Sequence, residues 1–483
     1  MHPDFSYAAQ SALRTAYGVL LFLQVLITLP GARRFFCSER YGGYVETGRV
    51  RDVLYHPVVV TFAGTLWLAS AVALILDRST LVAAVVALAA CRFLLIEPRW
   101  HSLSRGFGAV GQITGWFALL IALLELSRVA DYHGLIRSTT VMVFRVDFAL
   151  IMVVAGIYKV TAGYLQNDGF ERALANPWWC YWSRFYSRVS PASPLFAFFN
   201  HSAYIVEIGA GLLMLTPLSL WGALAIAASF AMLALNLRLT YLPGMVVAAA
   251  FLFAQPGDFV DRFSSHIFPA HSIAATQVGT AGLVAALTFL GVYAVSIVLV
   301  RCGLYYNFFL AKRLPEVLQI AVDRVSQIFV ITIWRVFTVN VINFYVDVAI
   351  ERRDGTRRKY ERIGLRSFSQ GLRYAHAGEF VALCTSFTAL KYFSDRQDIF
   401  EQRVVRYAKT VPHEAGESVI LTYVSIEKNA AFRYVSAAEF AVDCVAATVL
   451  ERALTRGFDV RSIASTSKVV KGSATGSYAP PRV

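Results

Sequence analysis

Long apolar stretches separated by short polar loops fill the first 300 residues. A helix needs roughly 20 apolar residues to cross hydrocarbon. Stretches of that kind recur near residues 14–29, 57–76, 80–96, 108–126, 141–161, 200–216, 219–236, 241–255 and 278–300. The pattern predicts nine transmembrane helices, with Leu81–Ile96 short and the 200–255 block nearly continuous. Pro217, and Pro243 with Gly244, predict breaks in that block. The first stretch, Ala16–Leu29, has a weak basic flank and no small-residue cleavage site, so it reads as the first span.

Past residue 301 the pattern changes. Residues 308–338 are amphipathic and suit a membrane surface, with Trp334, Arg324 and Arg335 among them. INFYVDVAIERRDGTRRKYERIG reads as a hairpin: a β-rich strand, an Asp354-Gly355 turn and a basic return strand. Residues 378–408 look helical and ESVILTYVSIE looks like a strand. From Ser462 the chain is Ser/Gly/Pro-rich, a composition that cannot build a core. The expected fold is an all-α polytopic membrane bundle over 1–300, followed by a small α+β C-terminal region over 301–461 and a disordered tail, 462–483. No internal repeat is visible.

Composition agrees. The chain is 57% hydrophobic and only 16% charged, with mean hydropathy +0.54, which points to a multi-pass protein of the cell membrane rather than a soluble domain. The net charge of +14 is uneven: 19 basic and 14 acidic groups precede residue 301, and 26 and 17 follow. Such a basic region beside a bilayer suits anionic headgroups or a macromolecular partner. Nucleic acid is a poor fit, because no recognition module accompanies the charge. Arg33, Arg34, Arg40, Arg49 and Arg51 crowd the first loop. With nine spans they share a face with Arg99, Arg105, Arg172, Arg184, Arg188, Arg238 and the C-terminal region, the cytoplasmic face by the positive-inside rule. The six cysteines are scattered with no CxxC pair, which indicates neither a zinc site nor a disulfide framework. Cys91, Cys302 and Cys444 lie in apolar runs and read as packing residues.

Candidate chemistry is sparse. Residues 1–300 hold 18 arginines but one lysine, Lys159, inside FALIMVVAGIYKVTAGYL. An ionisable group at membrane depth is expensive and reads as functional by default. Lysine is also the cation that converts readily to a base when desolvated. The same span carries Arg145 and Asp147 near its other end, where snorkelling is cheap. Twelve residues separate Asp147 from Lys159, about 18 Å of helix, so the two cannot pair. Glu207, in YIVEIGAGLLML of the sixth span, is the other conspicuous buried charge, and Arg92 lies close enough to a span end to snorkel. Lys159 with Glu207 reads either as an ion pair fixing two spans or as an active amine with its helper. His101, in EPRWHSLSR, is a further candidate. His266 and His271 are five apart, a poor spacing for a shared metal. Gly111 and Gly115 suggest a close helix contact. Trp178, Trp179, Tyr181, Trp182 and Tyr186 read as an interfacial belt, with a ring-binding site as the alternative.

VVAGIYKVTAGYLQNDGFERAL resembles a segment of the vitamin K-dependent γ-carboxylases and of the wider horizontally transferred transmembrane (HTTM) family. There an Ala-Gly-x-x-Lys run supplies the lysine regarded as the active-site base; here the run is Ala155, Gly156, Ile157, Tyr158, Lys159. WHSLSR resembles the family's Asn-His stretch, which maps its histidine to His101. VEIGAGLLML maps an acid to Glu207, and NLRLTYLPGMVVAAAFLF maps an Asn and a Gly-Met pair to Asn236, Gly244 and Met245. TIWRVF followed by a strand and RRDGT looks like the family's passage from membrane to β-rich region.

The resemblance implies Lys159 as a catalytic base helped by His101 and Glu207, acting on a lipid-soluble or peptide substrate, with a quinone/hydroquinone as the cofactor. Three departures stand against full glutamate carboxylation. Leu233 and Trp100 occupy positions where the carboxylases have His and Asn. Residues 301–461 stand where those carboxylases carry a large propeptide-binding lumenal domain. The alternative is a non-catalytic membrane maturation or interaction factor, its charges structural, that docks a protein through its basic C-terminal region. A transporter is disfavoured, since no inverted repeats or paired broken helices are visible.

Overall fold

A computed structural model of the chain describes residues 5–130, 134–268, 280–310, 312–329, 331, 339–360, 376–392 and 396–454. Helix starts follow local chemistry. Ser6 caps α1 (Tyr7–Thr28), its hydroxyl accepting from the backbone N–H groups of Ala8 and Ala9. Pro57 opens α2 (Pro57–Ile75), where a missing N–H costs nothing. α3 (Thr80–Cys91) is prolonged by a π-helical turn and a 3-10 turn to Trp100. Then come α4 (Ala109–Ala130), α5 (Leu135–Thr161), α6 (Pro194–Met214), α7 (Ser219–Asn236), the short α8 (Leu242–Ala249), α9 (Thr280–Phe309) and α10 (Glu316–Phe329).

Seven of the described helices are long and apolar enough to cross a membrane, consistent with a multi-pass membrane protein: α1, α2, α3 with its extension, α4, α5, α7 and α9. The nine expected spans are therefore not reached. The stretch 200–216 folds as α6, of 21 residues, but Asn200, His201 and Glu207 lower its hydropathy. The stretch 241–255 yields an apolar piece only from Leu242 to Phe253, about 18 Å long and too short to cross. The breaks expected at Pro217 and Pro243 are present, one between α6 and α7 and the other opening α8. Large apolar side chains, among them Phe62, Val82, Phe198, Ile205, Trp221 and Val295, are exposed on the outer surface, as contact with lipid requires.

α5 and α6 run antiparallel in close contact, and small residues permit it. A Cβ added to Gly156 would sit 2.6 Å from the Ile208 side chain, and one at Gly211 would sit 2.7 Å from Val153. Gly111 and Gly115 of α4 likewise give close approach, Gly111 to the backbone of Gly106 and Gly115 to Ile96.

The C-terminal region holds one antiparallel sheet in the order β2-β1-β3-β4-β5. The expected hairpin is β1 (Phe344–Glu351) and β2 (Arg357–Lys359), with Gly355 at φ +78° in the turn. ESVILTYVSIE is β3 (Ser418–Lys428), which pairs with β1 from Phe344 opposite Ser425 to Glu351 opposite Ser418. β4 (Phe432–Asp443) and β5 (Thr448–Ala453) complete it. The expected helical segment 378–408 holds two long helices, α11 (His376–Phe387) and α12 (Gln397–Lys409), with a four-residue helical turn at Ala389–Tyr392 between them. They cover one sheet face, where Phe387 packs on Phe344, Phe400, Tyr423 and Phe440. Trp334, Arg335, His271 and the tail 462–483 lie outside the described residues.

This domain rests on the loops at one end of the bundle. The Asn176 amide donates to the carbonyls of Ile342 and Phe344 at 2.9 and 2.8 Å. Trp178 stacks on Phe380, with centroids 5.3 Å apart, and Arg34 pairs with Glu379 at 2.9 Å. The first loop and the C-terminal domain thus share a face, as the arginine distribution predicts.

Candidate functional site

Lys159 lies in the last turn of α5 and Glu207 in the second half of α6. Antiparallel packing brings them together across 48 residues of sequence. Lys159 Nζ stands 2.5 Å from both carboxylate oxygens of Glu207, and both side chains are buried, 6% and 7% exposed. The side chains lie at the separation of a buried lysine–carboxylate ion pair.

A polar network continues toward the sheet. Tyr164 is fully buried; burial pushes its phenol well up, and the carboxylates of Glu207 and Glu171 add to the shift. Glu171 accepts from the Gly169 N–H at 3.1 Å, from Asn200 Nδ2 at 2.8 Å and from Lys428 Nζ at 2.9 Å. Lys428 is the last residue of β3, so the polar end of the α5–α6 pair is tied to the C-terminal domain.

His101 makes its contacts elsewhere. Its ring is half-exposed, with Nδ1 3.4 Å from Glu46 Oε2, and the other Glu46 oxygen lies 3.3 Å from Arg406 Nη1. Of the three residues expected as a catalytic set, Lys159 and Glu207 meet and His101 bonds to a different acid. Asn236 accepts from the Tyr186 hydroxyl at 2.9 Å; Met245 is buried.

A second constellation inside the bundle gives Asp147 and Arg145 partners that residue order does not suggest. Asp147 points into the bundle and accepts from Trp116 Nε1 at 2.9 Å, from the Tyr293 hydroxyl at 3.2 Å and from Arg301. Arg145, two residues earlier and on the opposite face of the helix, donates to the carbonyls of Leu252 and Ala254 at 2.8 and 3.3 Å. Neither side chain snorkels as expected; both are 1% exposed. The cause is tertiary: the chain stops being helical after Phe253 and leaves carbonyls that need donors, while α9 delivers Arg301. Only the unusual density of charge on α5 could have signalled it. A cavity beside Asp147 is lined by Gln112, Trp116, Tyr293, Arg301 and Phe329, with about 10 Å³ of water-accessible space, roughly one water.

A third cluster surrounds the loop after α3. Arg105, Gly106, Phe107 and Gly108 have φ of +47°, +58°, +61° and +64°. Two of these are non-glycine residues in the left-handed region, a strain of roughly 1–3 kcal/mol each. Phe107 anchors the loop against Phe35 and Phe36. The loop brings Arg105 within electrostatic reach of Arg99, Arg403 and Glu46. Burial alone would raise the Glu46 carboxyl, but the His101 hydrogen bond and the Arg406 charge outweigh it and hold it below the usual range. Burial lowers the Arg403 guanidinium to about 10, with Arg105 and Arg406 adding to the effect and Glu46 opposing it.

The aromatic cluster divides. Trp178 is fully buried and seats Phe380, so it belongs to the domain seam rather than to an interfacial belt; Trp182 is exposed, as a belt residue should be. All six cysteines are free; Cys91 is buried, but Cys302, read as a packing residue, is exposed on α9. Among the described residues no group of His, Cys, Asp and Glu is placed to hold a metal. Comparison with protein-family models, curated proteins and solved structures finds no match to this chain.

Proposed function

We propose that the chain is a multi-pass membrane protein of HTTM type that serves as a non-catalytic maturation or interaction factor. In this reading Lys159–Glu207 is a structural ion pair and the basic C-terminal domain is the docking module, for a protein or peptide partner on the cytoplasmic face. The observation that carries it is the buried contact of Lys159 with both oxygens of Glu207. A base must offer a lone pair, and a lysine clamped as an ammonium offers none.

The hydroquinone that the family resemblance implies finds no matching space in the two cavities described beside the helices. A cavity beside Asp147 and another beside Trp67 each have room for about one water, about 10 Å³, and Lys159 lines neither. A ring-binding pocket is of the order of 300 Å³ or more.

The test is a double-mutant cycle in detergent. Lys159→Met or Glu207→Leu alone should cost about 3–5 kcal/mol, because each strands a buried charge. The double variant should return to within about 1 kcal/mol of the parent. Single variants without effect, or a double as unstable as the singles, would sink the reading.

A second reading keeps Lys159 as the base of an enzyme related to the γ-carboxylases. In its favour, two positions aligned by the resemblance, Lys159 and Glu207, meet across 48 residues. Lys159→Arg retains the charge but cannot act as a base. Mass spectrometry of lipid extracts from cells expressing parent and variant separates the readings: a product present with the parent and absent with Lys159→Arg establishes the enzyme.

A further inference from the structure

The amphipathic sequence after α9 predicts a helix lying flat on the membrane surface, but α10 takes another course. α9 runs parallel to α5, since Phe144 stacks on Tyr293 and Asp147 meets Arg301. It therefore ends on the face that carries the C-terminal domain. From that end α10 doubles back along it. Asn307 Nδ2 donates to Gln319 Oε1 at 2.8 Å, and a Cβ added to Gly303 would sit 2.9 Å from the Val322 side chain. Further in, Phe329 packs on Tyr293 and Phe289, with centroids 5.1 and 6.2 Å apart. Asn307 closes the apolar segment Gly282–Asn307, and from Asn307 back to Tyr293 is about 21 Å of helix. Hydrocarbon is about 30 Å thick. The tip of α10 thus stands deep inside it.

The faces of α10 fit that path. Gln319 bonds to Asn307 and to Asp323, and Ser326 is buried, so polar side chains turn toward the protein. Val317, Ile320 and Ile328 are exposed and continue the exposed apolar surface of α9, Val292, Val295 and Leu299. A helix facing water shows the reverse. Arg324 is also exposed; helical side chains lean toward the N-terminus, here the headgroup level, so its charge snorkels outward. The inner end is closed without water. The Ile331 N–H donates to the Ser326 carbonyl at 3.0 Å, and the Ser326 hydroxyl donates to the Ile331 carbonyl at 2.7 Å. Arg92, expected to snorkel, donates to the Ile328 carbonyl and holds Glu97 at 3.2 Å. Helix-end carbonyls need such partners where water does not reach. We propose that α10 is a re-entrant helix. It enters the hydrocarbon from the face of the C-terminal domain, ends at depth on the cap supplied by Arg92, and presents Val317, Ile320 and Ile328 to lipid acyl chains. Phe329 and Ile331 at its tip line the cavity beside Asp147. The chain is back at the domain by Phe344, whose carbonyl Asn176 holds. This path is independent of whether Lys159 is structural or catalytic.

The full chain, carrying Cys302→Ser to remove the exposed thiol, is reconstituted in phosphatidylcholine vesicles with a nitroxide at Val317→Cys, Ile320→Cys or Ile328→Cys. The same chain without an added cysteine is the blank. Collisions with oxygen, which concentrates in hydrocarbon, are compared with collisions with a water-soluble nickel chelate. The oxygen-to-nickel ratio should rise several-fold from Val317 to Ile328, with Ile320 between them. Because all three positions are exposed, each labelled chain should melt as the parent does. Equal ratios at the three positions, as for a helix lying flat, or greatest nickel access at Ile328, overturn the re-entrant path. Arg92→Ala should lower the Ile328 ratio several-fold and leave Val317 unchanged, and Arg92→Lys, which keeps a charged donor, should restore it. An Ile328 ratio unmoved by Arg92→Ala overturns Arg92 as the cap that holds the tip at depth.

Discussion

The membrane bundle and the seam beneath the C-terminal domain treat charge in opposite ways. Among the described residues, three buried charges of the bundle's fifth helix meet partners: Lys159 meets Glu207, Asp147 meets Arg301, and Arg145 meets the carbonyls of Leu252 and Ala254. At the seam, arginines from α12 and from the loop after α3 crowd together around Glu39 and Glu46. The difference is one of solvent. Hydrocarbon offers no screening, so an unmatched charge there costs too much to persist. At headgroup level, water and lipid phosphate supply what the protein leaves out. Matched charges inside the bundle therefore read as architecture, while those of the seam share few carboxylates.

That contrast can be broken experimentally. The largest effect is expected at Asp147→Leu, which strands Arg301 and removes the acceptor of Trp116 and Tyr293. We expect a loss of at least about 3–5 kcal/mol, read by SDS or thermal unfolding in detergent. A loss near zero would mean that the constellation is wet or open, and would place a working site beside Asp147. Gly156→Ala comes next. Its new methyl meets Ile208 across the α5–α6 contact, and overpacking of that kind costs about 1–3 kcal/mol. If this contact positions the ion pair, Gly156→Ala and Lys159→Met should show non-additive losses in the same assay.

The smallest effect is one of pH and belongs to the seam. Glu46 and Asp52 both titrate below their usual values. The Ser38 hydrogen bond is the main cause for Asp52; for Glu46, His101 and Arg406 outweigh burial. Carboxyls whose folded pKa is depressed contribute stability above their unfolded values, and that contribution is lost as pH falls through the folded ones. The melting temperature should therefore hold from neutral pH to about pH 5 and decline below about pH 4, with Glu46→Gln flattening part of the decline. A profile unchanged by Glu46→Gln would remove Glu46 from the charge balance of the seam.

Much of this was legible in residue order. Apolar runs located the seven helices long and apolar enough to cross a membrane, because spanning length and hydropathy are local properties. Alternation and Asp354-Gly355 located the β1–β2 hairpin. β4 and β5 were missed, because AAEFAVDCVAATV carries no clear turn signal between two strands. α6 was read as a span like its neighbours, although its polar residues set it apart.

By itself the sequence determined the apolar helices, the hairpin and the rarity of lysine within the first 300 residues, since each depends on composition or spacing along the chain. Lys159 could be singled out in that way, and Glu207 with it. Which charges meet was decided only by the tertiary structure. Asp147 and Arg301 are 154 residues apart, and Arg105 and Arg403 nearly twice as far. Pairing across such distances is set by helix packing and domain docking, for which no local signal exists. The same structure turned Arg145 and Asp147 inward, because it left carbonyls and an arginine for them to satisfy.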